Sequence, residues 1–116
     1  MIAQALIFRN GKVLMVKQRK HGREFWNFPG GHVEKWETPE QACIREVKEE
    51  TGFDVVLKRV AYAGPERKVF FADITGGELK LEEKLLDWAW VMPGEPDKWD
   101  HIIAKIWENV FGAQAK

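Results

Sequence analysis

Glu46, Glu49 and Glu50 stand at i, i+3 and i+4 of a stretch that reads as a helix. Three carboxylates on one helical face repel one another by roughly a few tenths of a kcal/mol per exposed pair. A divalent cation would turn that repulsion into binding. Magnesium takes oxygen ligands in octahedral geometry, commonly from one or two carboxylates, several waters and the phosphates of a substrate. The competing reading is a solvated face balanced by Arg45 and Lys48, and the three carboxylates alone do not separate the two. Arg19 and Arg23 carry guanidinium forks that could hold phosphate oxygens two at a time, or simply lie on the surface. Trp26, Trp88 and Trp90 could stack on a nucleobase or fill a core. His32 could donate to a phosphate or stand exposed in a loop, whereas His21 and His101 belong to no motif. Cys43 falls toward the packing side of the acidic helix and reads as an inert buried thiol.

The elements that must position these groups follow from pattern and punctuation. Ile2 to Phe8 and Lys12 to Arg19 are β-rich runs separated by Asn10-Gly11, a pair suited to a tight hairpin turn. His21 to Glu24 is polar and reads as a loop, after which Phe25, Trp26 and Phe28 lead into a glycine corner at Pro29-Gly30-Gly31. Thr38-Pro39-Glu40-Gln41 is a helix start with a capping box, and Gly52 is the matching stop. Between them Cys43, Ile44 and Val47 define a packing side, while the three glutamates span an arc of roughly 100° on another. Phe53 to Ala61, Lys68 to Ile74 and Leu85 to Val91 read as strands, Gly76-Gly77 as a turn, and Met92 to Pro96 as a loop. From Trp99 apolar residues recur at three- and four-residue steps through Phe111, the pattern of an amphipathic helix that packs on a sheet. The predicted class is α+β, a mixed sheet flanked by helices.

Length and composition bound the function. At 116 residues, 1–116 is expected to form one domain, and 45% hydrophobic with 31% charged residues disfavours disorder. Six Trp and seven Phe supply enough apolar surface for a core, and any left exposed leave room for a homodimer interface. With 18 basic against 18 acidic residues there is no global field to draw the chain onto extended nucleic acid. The single cysteine excludes a disulfide framework and any multi-thiolate site, so a reducing cytoplasm is the simplest compartment. The N-terminal apolar run is too short to span a membrane and lacks the layout of an export peptide.

Gly31, Glu37, Arg45, Glu46, Val47, Glu49, Glu50, Gly52 and Phe53 occupy every defined position of the Nudix box, G-x5-E-x7-R-E-U-x-E-E-x-G-U. Seven exact identities at fixed spacing arise by chance with a probability on the order of 10⁻⁸ at any one start. The chain therefore strongly resembles a Nudix hydrolase over Gly31 to Phe53, and Trp26 to Gly30 is similar to the usual lead-in. Phe53 departs mildly, being aromatic where the family is more often aliphatic.

The resemblance implies an α/β/α sandwich in which the box forms a loop-helix-loop holding one or more Mg²⁺ ions, with Mn²⁺ as a substitute. It assigns metal binding to Glu46, Glu49 and Glu50 and to the carbonyl of Gly30, with Arg45 orienting a carboxylate and Glu37 tying the loop to the helix. The implied reaction is hydrolysis of a nucleoside diphosphate linked to another group. Glu46 is the favoured general base, and Glu83, with Glu82 behind it, resembles the later glutamate of many members, or is a solvated charge. Arg19, Arg23 and Trp26 are the candidates for substrate contact. The marks that resemblance would lend to ADP-ribose, dinucleoside-polyphosphate, coenzyme A and NADH subclasses are mostly absent, Pro65 being a poor substitute for the first and Tyr62 too early for the second. Elimination then favours a nucleoside triphosphate, oxidised forms such as 8-oxo-dGTP included, cut to monophosphate and pyrophosphate. The alternatives are another nucleotide such as ADP-ribose or a dinucleoside polyphosphate, or a nucleotide- or RNA-binding module without turnover.

Overall fold

The computed structural model describes residues 1–92, 95, 98 and 101–111. Seven strands and two helices follow in the order β1 (Ile2–Arg9), β2 (Lys12–Lys20), β3 (Arg23–Asn27), β4 (Gly30–His32), α1 (Pro39–Thr51), β5 (Phe53–Ala63), β6 (Arg67–Gly77), β7 (Asp87–Val91) and α2 (His101–Phe111). The strands join in the order β3-β2-β1-β6-β5, with β4 added beside β1 and β7 beside β2. β1 runs parallel to β6 and all other pairings are antiparallel, so the sheet is mixed.

The two hairpins at the N-terminal end are set by paired positive φ values. Asn10 and Gly11 adopt 54° and 76°, and His21 and Gly22 adopt 53° and 76°. This is the primed turn geometry that matches strand twist. The second pair corrects the expected loop over residues 21–24: only His21 and Gly22 turn, and Arg23 and Glu24 belong to β3. β1 and β2 share register only at Phe8↔Val13 and Arg9↔Lys12, beyond which they splay apart. β4 takes up the freed edge of β1 at Ile2 to Gln4, and β7 pairs along β2 from Val13 to Lys17. The gap opened by the splay is where the candidate site forms.

Each helix covers its own apolar cluster. Ala42, Cys43 and Val47 of α1 pack with Ala3, Ala5, Ile7, Phe53 and Phe70. Ile103 and Ile106 of α2 pack with Leu6, Val13, Met15 and Phe28. The capping box at the start of α1 is complete, Thr38 Oγ1 accepting from Gln41 N at 3.1 Å and Gln41 Oε1 from Thr38 N at 2.9 Å. At its end Gly52 adopts φ 82°, and a side chain there would meet the Glu78 carbonyl at 2.2 Å.

Three further expectations are corrected. Ile44 is exposed, because the buried arc of α1 runs through Cys43, Val47 and Glu50, and Ile44 points roughly 120° away from Glu50. Gly76 and Gly77 end β6 opposite Asp54 and Phe53, because the chain reverses between Ala63 and Arg67 instead. The strand expected from Leu85 begins at Asp87, although Leu85 is itself buried. Pro93, Gly94, Pro96 and Trp99, and the side chains of Ile102, Val110 and Phe111, lie outside the described residues.

Candidate active site

Glu50 lies near the middle of the buried face of α1, with 1% of its surface exposed. Its carboxylate accepts one hydrogen bond, from the backbone N–H of Gly30 at 2.9 Å. Burial pushes its pKa up to about 7; the Gly30 N–H opposes that rise, and the nearby Glu46 charge adds to it. A carboxylate so placed is costly to ionise without a cation.

Glu46, one turn earlier, holds its carboxyl over Gly31. A Cβ at Gly31 would come within 2.5 Å of the Glu46 Cδ, so the glycine is what lets the carboxylate approach the chain. Gly30 has φ 152°, and a Cβ there would meet the Ala3 carbonyl at 2.2 Å, so β4 could not lie against β1 with any larger residue. The two glycines of the corner thus serve different contacts, one with a side chain and one with backbone.

Arg45 spends all five of its N–H donors. Nε and Nη2 grip Glu37 at 3.0 and 2.6 Å, Nη1 reaches Glu46 at 2.9 Å and Glu49 at 3.3 Å, and Nη2 also donates to the His32 carbonyl at 3.2 Å. The hydrogen bonds to Glu37 hold the guanidinium charged well above its ordinary range and, in return, hold the Glu37 carboxyl below the usual carboxylate range. Glu37 also accepts from the Glu34 N–H at 2.9 Å, closing the loop onto the helix.

Glu46 and Glu50 share a cleft of about 400 Å³ with Gly30, Gly31, His32, Glu34, Gln4, Gln18, Lys20, Asn27 and Lys84. Glu49, half exposed and joined to Glu46 through Arg45 Nη1, borders a groove of about 770 Å³ that also holds Glu83. Glu82 lies closer to the buried carboxylate: its N–H donates to the Glu50 carbonyl at 3.0 Å, and its charge acts on the Glu50 side chain. Its Oε2 is shielded from solvent without a hydrogen-bond donor.

The candidates for substrate contact are dispersed. Arg19 pairs with Glu24 at 2.5 Å and borders a small adjoining cavity. Arg23 is exposed on β3, in register with Lys20 of the cleft. Trp26 turns away to the second apolar cluster, with the Lys17 and Lys98 ammonium groups each 5.9 Å from its ring. Gln4, Gln18, Asn27 and Lys84 were not singled out from sequence. Gln4 had a signal, being the one polar side chain in the apolar run Ile2 to Phe8. It is 2% exposed, donates to Asn27 Oδ1 at 2.8 Å and accepts from Arg67 at 2.9 Å.

The donor set is made of hard carboxylate oxygens, which suits Mg²⁺. Among the described residues no group of three His, Cys, Asp or Glu side chains is assembled to hold a metal unaided. A cation here would complete its shell with water and substrate oxygens. The buried, like-charged Glu46 and Glu50 fit that role, since a cation would relieve both the desolvation and the repulsion. No described helix is long and apolar enough to cross a membrane.

The chain is similar to known proteins over most of its length. The family model for the NUDIX domain matches residues 1–109. The 8-oxo-dGTP diphosphatase of Proteus vulgaris is 40% identical over 93 residues, covering 72% of this chain and 82% of that protein. The ADP-ribose pyrophosphatase of Methanocaldococcus jannaschii is 37% identical over 86 residues, covering 65% of this chain and 51% of that protein. The matches to two further curated relatives cover only 25% and 59% of their lengths. The crystal structure of a MutT NUDIX hydrolase from Burkholderia pseudomallei superposes with a TM-score of 0.79 at 25% identity, over 94% of this chain and 95% of that one. With the box complete in sequence, its helix and glycine corner built around one cleft, and the family model matched along nearly the whole length, the chain belongs to the Nudix family.

Proposed function

We propose that the chain is a metal-dependent hydrolase of nucleoside triphosphates, oxidised forms such as 8-oxo-dGTP included, releasing the nucleoside monophosphate and pyrophosphate. The observation that carries this reading is the pair of close carboxylates, Glu46 over Gly31 and Glu50 buried on the Gly30 N–H, in one cleft large enough for a polyphosphate. Similarity to the Proteus vulgaris diphosphatase supports the substrate.

Glu46 and Glu50 would hold Mg²⁺ or Mn²⁺, with Glu49 and the Gly30 carbonyl as further oxygens; such an ion, when bound, neutralises phosphate charge and acidifies water. The chain's own part is to aim that chemistry. Arg45 holds Glu46 by a hydrogen bond to Oε1, on a carboxylate that lines the cleft. Glu46 accepts the proton of the attacking water, and Glu83 or Glu82 is the alternative base from the 78–86 segment. Glu37 acts through Arg45, fixing the guanidinium that fixes Glu46. Attack falls on phosphorus, because the carboxylates gather around the diphosphate and not around sugar or base.

The test is a panel of canonical and oxidised nucleoside triphosphates, ADP-ribose and a dinucleoside polyphosphate, with and without Mg²⁺, in ¹⁸O-water, read by chromatography and mass spectrometry. Monophosphate and pyrophosphate, with label on a phosphate oxygen, are expected. Orthophosphate as the only first product would overturn the triphosphate reading, and no turnover of any nucleotide would leave a binding module. ADP-ribose as the best substrate would move the assignment toward the Methanocaldococcus jannaschii relative.

A further inference from the structure

The cleft that holds Glu46 and Glu50 is lined by a third carboxylate, Glu34, against only two ammonium groups, Lys20 and Lys84. A polyphosphate entering it meets net repulsion from the side chains, which a bound cation and positive charge supplied by the chain along the path would offset together. Lys84 stands, with Gln18 and Lys20, where two spaces meet. It lines the 400 Å³ cleft and also the adjoining cavity of about 100 Å³ bounded by Arg19, Lys20 and Leu85, so a ligand reaching from one to the other passes its ammonium.

The backbone around Lys84 is tied down on both sides. Glu82 N donates to the Glu50 carbonyl at 3.0 Å, Leu85 N to the Glu82 carbonyl at 2.9 Å, and Leu86 N to the Lys17 carbonyl at 2.9 Å. Leu85 is buried, which pins the neighbouring Cα. The side chain, by contrast, is 62% exposed, and its ammonium lies 3.7 Å from Glu82 Oε2. That separation is beyond hydrogen-bond reach, and the same Glu82 oxygen has no hydrogen-bond donor. The contact is loose enough for a phosphate oxygen to replace.

We propose that Lys84 is a substrate-binding residue of this site, an ammonium carried on a fixed backbone that pairs with phosphate oxygens of the diphosphate as they lie between the carboxylate cleft and the adjoining cavity. The assignment rests on the reading that the site takes a nucleoside polyphosphate. A role limited to screening the glutamates from one another makes a different prediction: losing the ammonium would lower the melting temperature, because the like charges would repel harder, and would leave pyrophosphate affinity near the parent's.

Two variants, Lys84→Met and Lys84→Arg, separate the roles. Inorganic pyrophosphate binding in millimolar Mg²⁺ is measured by calorimetry, Mn²⁺ binding without phosphate by electron paramagnetic resonance, and folding by thermal melting. Lys84→Met should weaken pyrophosphate binding about tenfold, leave Mn²⁺ binding unchanged or tighter, and keep the melting temperature. Lys84→Arg should recover most of the pyrophosphate affinity. With the best nucleotide, Lys84→Met should raise KM by a similar factor while kcat moves less than about threefold. Pyrophosphate affinity within about twofold of the parent would overturn the assignment, as would joint loss of pyrophosphate and Mn²⁺ binding with a lowered melting temperature. A parent chain that binds no pyrophosphate would overturn it too. Lys84-dependent pyrophosphate binding in a chain that hydrolyses no nucleotide would instead refute the proposed activity and leave this contact standing.

Discussion

Glu50→Gln removes one charge from the interior while keeping an oxygen for the Gly30 N–H, which now lies 2.9 Å from Glu50 Oε1. In the folded chain the Glu50 carboxyl is raised from about 4.5 to about 7, chiefly by burial. An acid with a raised folded pKa binds its proton more tightly folded than unfolded. Its favourable contribution is therefore whole below about pH 4.5 and is lost as pH rises through about 7. At about 1.36 kcal/mol per pH unit, ionised Glu50 costs the metal-free fold about 3 kcal/mol above that range. For a domain of this size that is about 10 °C in Tm. Thermal melts in excess chelator should give parent and variant the same Tm near pH 4 and a variant about 10 °C more stable near pH 9. Added Mg²⁺ should raise the parent's Tm and leave the variant's almost unmoved, while the variant's kcat falls at least about 10²-fold. An equal Tm difference at both pH values would refute the buried-carboxylate argument, and turnover at the parent rate would refute the role given to Glu50.

The two glycines of the corner should fail differently. Gly31→Ala presses only on the movable end of Glu46, so folding should survive while kcat drops about tenfold or more; Gly30→Ala meets backbone at 2.2 Å and should cost at least about 3 kcal/mol, seen as a lost or much earlier melt. Arg45→Lys gives up the two-point grip on Glu37 and should lower both the melting temperature and kcat, whereas an unchanged melt and an unchanged kcat would contradict the clamp. Burial pushes the Cys43 thiol up to about 12, so a disulfide reagent at neutral pH should modify it only after denaturant is added; rapid labelling of the native chain would contradict the packing of α1. Turnover should rise from about pH 6 to pH 8, since the raised Glu50 must lose its proton before it can take a cation, and a profile falling over that range would contradict its participation.

What the sequence determined by itself is whatever depends on near neighbours. Asn10-Gly11 specifies a turn within two residues, Thr38 and Gln41 cap α1 across three, and Gly52 stops it with one positive φ. The box is local as well, so its carboxylates, arginine and glycines could be named together before any packing was known. The tertiary structure alone decided which of those carboxylates is buried. Glu50 and Ile44 exchange their expected surroundings because the sheet against which α1 packs sets which arc of the helix is inside, and no helical period states that. It also decided the rest of the cleft. Gln4 meets Asn27 across 23 residues and Arg67 across 63, contacts that exist only once β1 has splayed from β2 and paired in parallel with β6. Lys84 reaches the same cleft because its segment is tied at one end to α1 and at the other to β2. Those pairings are selected by the burial of two apolar clusters over the whole chain, a sum to which each residue contributes little and which no short window of sequence contains.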